Sequence, residues 1–165
     1  MKKLAVLLLL MLATPFVSAA QMEVDLHEHW DQRCQVCHGH SGQFARKFLR
    51  VENGRLLGTH HGNDLDVFLR NHYLTDKLVE PMRAMLTAQV TTPPLFAQKC
   101  AGCHGTAATS ARRSLAFSNG SLVGVSSGRK VADLLSSHGG LAPDEVLIVV
   151  ESLTRVRGEV GDSEK

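Results

Sequence analysis

Apolar residues recur along this chain in short helical groupings, and each grouping occurs twice. Residues 64–70 and 130–136 carry apolar side chains at spacings of three and four, which predicts a short helix in each place. Longer groupings follow at residues 75–89 and 144–156, the second headed by Pro143 in the position that favours a helix start. Pro81 falls inside the first of these, predicting a kink or a later start there. Glycine punctuates residues 53–62 and 119–128, which read as loops. Thr91, Thr92, Pro93 and Pro94 make a linker over residues 91–94, and the chain from Gly158 reads as a polar, frayed tail. Ahead of all this, Lys2 and Lys3 precede an apolar run at residues 4–12 that is too short to span a bilayer as a helix. Ser18, Ala19 and Ala20 supply the small residues of a cleavage site, so residues 1–20 read as a signal peptide rather than an uncleaved anchor.

The two sets of groupings are one repeat. Sliding the chain by 66 residues brings Cys34 onto Cys100, Cys37 onto Cys103, His38 onto His104, Asn53-Gly54 onto Asn119-Gly120 and His72 onto His138. Over residues 34–72, 14 of 39 positions are identical without a gap, far above what composition alone would give. Two tandem copies of one folding unit follow, residues 21–90 and 95–157.

Composition narrows the function classes. The formal charge of +2 falls to zero once Lys2 and Lys3 leave with the signal peptide, and neither half carries a strong field. Nucleic-acid binding has no support. Aromatic residues are only 5% of the chain, with one tryptophan and one tyrosine. A unit of 66 residues with so few large rigid side chains invites another apolar filler.

The chemistry sits in Cys34-Gln35-Val36-Cys37-His38 and Cys100-Ala101-Gly102-Cys103-His104, both C-x-x-C-H. Cysteines three apart reach the two vinyl groups of one haem, and the adjacent histidine faces the iron as proximal ligand. An aromatic residue stands four before the first cysteine (Trp30, Phe96) and a basic one directly before it (Arg33, Lys99), suiting a short helix leading into each motif. Two disulfides, one Cys₄ zinc site and a redox-active C-x-x-C compete, but none of them requires a histidine after both pairs. For the sixth ligand, His138 is the only histidine or methionine left after His104, and its counterpart His72 lies at the same 34-residue distance from His38. The first copy also offers His60 and His61, which align with Ser126 and Ser127 and are the fallback, and Met82 and Met85, which sit at helical spacing and read as core. A histidine ahead of Gly139-Gly140 is also what a helix end would carry. His27, His29 and His40 read as surface residues. Arg46 and Arg112 suit either a haem propionate or an exposed helix face.

On these residues each half resembles a class I cytochrome c domain, and the pair resembles the tandem di-haem cytochromes. The run from Leu141 to Leu153 is similar to the family's C-terminal helix. The resemblance implies an all-α, two-lobed protein, each lobe wrapping one covalently bound haem c. It implies one-electron carriage in the periplasm between soluble or membrane-bound redox proteins, after loading by the cytochrome c maturation machinery. Histidine stands where that family commonly has methionine, so a high reduction potential is not implied. A small di-haem oxidoreductase with one labile iron position, or an electron-delivering subunit of a larger complex, are the alternatives.

Overall fold

The repeat in the sequence is a repeat of elements. A computed structural model describes residues 24–59 and 65–161; the signal-peptide segment and His60 and His61 lie outside them. The first copy runs α1 (Leu26–Arg33), α2 (Gln35–His38), α3 (Ser41–Phe48), β1 (Leu49–Glu52), β2 (Arg55–Gly58), α4 (Leu65–Arg70) and α5 (Asp76–Thr91). The second runs α6 (Leu95–Lys99), α7 (Ala101–His104), α8 (Ala107–Ser114), β3 (Leu115–Ser118), β4 (Ser121–Gly124), α9 (Val131–Leu135) and α10 (Pro143–Glu159) in the same order. None of the described helices is long and apolar enough to cross a membrane.

The fold is mainly helical rather than all-α. Within the stretches that read as loop, of which residues 60–62 lie outside the described residues, the chain turns through two antiparallel hairpins, pairing Leu49 with Gly58 and Leu115 with Gly124 at their open ends. The cause is the Asn-Gly pair in each copy. Asn53 and Gly54 have φ of 51° and 74°, Asn119 and Gly120 of 47° and 72°. Two consecutive residues with positive φ make the tight turn whose twist matches that of paired strands. The glycines that look like loop punctuation are therefore hairpin tips, and Leu56 and Leu122 behind them are buried.

Each copy closes on its long helix. In α5 the buried side chains Val79, Met82, Met85, Leu86 and Gln89 recur at three- and four-residue spacing, one face of a helix. Pro81 is tolerated within α5, which runs unbroken to Thr91, one residue into the expected linker. It forfeits one amide donor, early in the helix. The buried face of α10 is Val149, Leu153 and Val156. Glu145 accepts from the Ala142 amide at 2.9 Å at its start, and Lys99 of α6 donates to the same carboxylate. The end of α10 corrects the expectation of a frayed tail from Gly158. The helix continues to Glu159, and Glu159 and Val160 are buried because Val160 packs with Ala108 and Ala111 of α8.

The buried apolar clusters do not cross the linker. One is built from Leu26, Trp30, Ala45, Leu49, Leu56, Met82, Met85 and Leu86. The others come from residues 95–160. Polar contacts join the halves: Arg112 of α8 donates to Asp25, the N-cap of α1, at 2.9 Å, and His27 Nε2 lies 2.8 Å from Glu159.

Candidate cofactor sites

In both copies a short helix stops at the first cysteine and a single helical turn carries the rest of the motif. Cys34 and Cys100 adopt the same backbone, φ −116° and ψ −31° against φ −117° and ψ −30°. Their amides donate to Trp30 and Phe96 at 2.8 and 2.9 Å, which explains the aromatic residue's fixed distance from the motif only as backbone register. The amides of His38 and His104 return to the carbonyls of Cys34 and Cys100 at 2.9 and 3.0 Å. Gly39 and Gly105, at φ 69° and 71°, then end the turn in a conformation that side chains resist. Residues three and four apart share a helix face, so the two cysteines and the histidine of each motif are presented together.

The four cysteines are free. Among the described residues no three His, Cys, Asp or Glu side chains converge as metal ligands, so the Cys₄ arrangement is not formed. Burial pushes the Cys34 thiol up from its ordinary pKa, and does the same to Cys100 against the opposing charge of Lys99.

The structure brings each motif histidine to the later histidine of its own copy. The rings of His38 and His72 are 6.0 Å apart between centroids, and those of His104 and His138 are 5.8 Å apart. Helices α4 and α9 deliver the later histidine, whose amide donates to Leu69 in the first copy at 3.1 Å and to Leu135 in the second at 3.4 Å. Two imidazoles on opposite sides of one metal ion, each bonded at about 2 Å, hold their ring centroids roughly 6 Å apart. Burial, and next the proximity of His72, lower the pKa of His38, which favours the neutral, metal-binding form.

The other candidates are placed elsewhere. Met82 and Met85 are 1% and 0% exposed in the first core. His40 is exposed and caps α3, its Nδ1 accepting from the Gly42 amide at 3.2 Å. His27 and His29 are not surface residues. His27 meets Glu159 between the halves, because α1 turns that face to α10, and His29 Nε2 is buried without a hydrogen-bond partner. Arg46 donates to the Gln89 carbonyl and Arg112 is committed to Asp25, so each ties α3 or α8 to another element.

Sequence reasoning misses how differently the pairs are surrounded. The His38 ring has Phe44 at 4.7 Å and Trp30 at 6.2 Å, with the Trp30 indole donating to the Gly39 carbonyl at 2.9 Å. The His72 ring stacks on Phe68 at 4.6 Å and 28°, and Tyr73 stands edge-on to it at 5.0 Å. Among the described residues, His104 and His138 have no aromatic neighbour but each other. The repeat register held the signal: Phe44, Phe68 and Tyr73 fall on Ser110, Leu134 and Gly139.

No protein-family model matches the chain, and no curated protein or solved structure matches it significantly.

Proposed function

We propose that the chain carries two haems c, bound covalently through Cys34 and Cys37 and through Cys100 and Cys103, and transfers single electrons between redox proteins in the periplasm. The observation that carries this reading is the twofold recurrence of a C-x-x-C-H turn with a second imidazole about a metal's width away. His38 and His104 are the proximal ligands, His72 and His138 the distal ones. The donor set suits the group: free thiols, paired imidazoles, and around the first pair the apolar walls of Trp30, Phe44 and Phe68. Haem iron supplies the chemistry, cycling between ferric and ferrous states. The protein's part would be to hold the iron with His38 and His72 in one copy and His104 and His138 in the other, and to set the potential through ligand identity and burial. On this reading the two copies are class I-like cytochrome c lobes, exported behind residues 1–20 and loaded by the cytochrome c maturation machinery.

The test is the absorption spectrum and potential of the purified chain with and without His138→Met. Wild type should show two low-spin haems with no sulfur-to-iron charge-transfer band. The variant should gain that band and raise the potential of one haem, since His/Met ligation sits above bis-histidine. A variant with an unchanged spectrum would make His138 a helix-end residue and remove the bis-histidine assignment.

A further inference from the structure

We propose that His72 is a fixed ligand and His138 an exchangeable one, so that a small diatomic iron ligand reaches the second site and not the first. This rests on the haem reading above. Both copies make the same left-handed turn directly after the distal histidine. In the second, Gly139 takes it at φ 88° and Gly140 follows at φ 60°. In the first, Tyr73 takes it at φ 62°, a conformation that a bulky side chain rarely adopts. Glycine in the other copy shows that the turn itself does not need tyrosine; the strain is accepted for the ring. That ring is 83% exposed, so core packing does not account for it either. Its place is beside His72, edge-on to the imidazole at 5.0 Å, while Phe68 of α4, one helical turn back, stacks on the same ring. Tyr73 and Phe68 are positioning residues that hold the His72 ring in its ligating orientation.

The segment around His72 is also braced. Asn71 donates to the Val67 carbonyl at 2.9 Å, and Arg70 pairs with Asp76 at 3.1 Å across the turn into α5. Their register partners are Ser137 and Ser136. Ser137 reaches the Leu134 carbonyl at 3.4 Å and Ser136 bonds within α9, so neither ties the turn to α10. His138 thus sits in Ser-Ser-His-Gly-Gly, exposed, and opposite a His104 that is itself exposed. An imidazole held by its metal bond alone would leave and return with its loop; one stacked on Phe68 and flanked edge-on by Tyr73 would not.

The probe is carbon monoxide, mixed with the full ferrous holoprotein after its haem content and low-spin spectrum have been recorded. Wild type should bind one carbon monoxide per chain in a fast phase, with the other haem following about tenfold or more slower, the scale of two aromatic contacts. Tyr73→Gly should bring binding to two per chain at comparable rates, whereas Tyr73→Phe, which keeps the ring, should stay at one. Two low-spin haems that bind equally, or a Tyr73→Gly protein that still binds one, would overturn this proposal and leave the haem reading intact. A chain without haem would overturn both.

Discussion

The two halves of this chain share a backbone and differ in what fills it. Around α5 the core is Leu26, Trp30, Leu56, Met82, Met85 and Leu86, with Phe44 packed against it. Around α10 it is Ala108, Ala111, Leu122, Val131, Val149, Leu153, Val156 and Val160, in two clusters, with Phe96 packed against one of them. The motif turns are nevertheless superimposable in their dihedrals to within a degree or so at the first cysteine. Short-range backbone bonding sets the geometry of the motif, and the large side chains decide how much of the unit stands without help. A buried leucine stabilises by roughly 1.5–3 kcal/mol, so valine and alanine at most of the places where the first half has leucine, methionine or tryptophan would leave the second half more dependent on the proposed haem.

The largest expected effect comes from removing the proposed attachment. Cys100→Ser with Cys103→Ser should leave residues 95–160 open to limited proteolysis, while Cys34→Ser with Cys37→Ser should leave residues 26–90 markedly more resistant. Equal sensitivity of the two single-haem proteins would erase the distinction between the cores. A smaller effect comes from leucines that play the same part on α5 and α10. Leu86→Ala and Leu153→Ala should each cost about 2–5 kcal/mol, Leu86 towards the upper end because its Trp- and Met-rich surroundings cannot collapse into the gap. Denaturant unfolding checks the order, and a larger loss at Leu153 would contradict it.

The smallest effect concerns the starts of the long helices. Lys99, and next the Ala142 amide, hold the Glu145 carboxyl below the usual carboxylate range, whereas Thr75 caps α5 with no side-chain bond. A carboxyl whose folded pKa is lowered stabilises above its unfolded pKa and loses that contribution as pH falls through the folded value. Glu145→Gln should therefore flatten the acid limb of the second half's stability without changing the first's. The Lys99–Glu145 pair lies at the surface, where water screens it, so the change should be slight, and thermal melts between neutral and acidic pH would show it.

Much of this was legible in the residues. Identical dipeptides in register gave the two copies, and the spacing of apolar positions gave the four later helices. The hairpins were legible too, in Asn53-Gly54 and Asn119-Gly120, but glycine signals both a loop and a tight turn, and only the positive φ at both residues separates them. The buried end of α10 was not legible, because Glu159 and Val160 are buried by partners from α8 and α1 far away in sequence. The same long-range contacts took His27 and Arg112 from the surface to the join between the halves. The aromatic asymmetry around His72 and His138 lay open in the register, yet its meaning depended on Tyr73 having a glycine's conformation.

The central claim is that each C-x-x-C-H turn holds a haem, and the intact mass of the protein recovered from the periplasm tests it most directly. The account predicts a single species heavier than residues 21–165 by two haems, with both attached through thioethers and so retained under denaturing conditions. A mass showing one haem or none, or four cysteines consumed by disulfides or zinc, would contradict it.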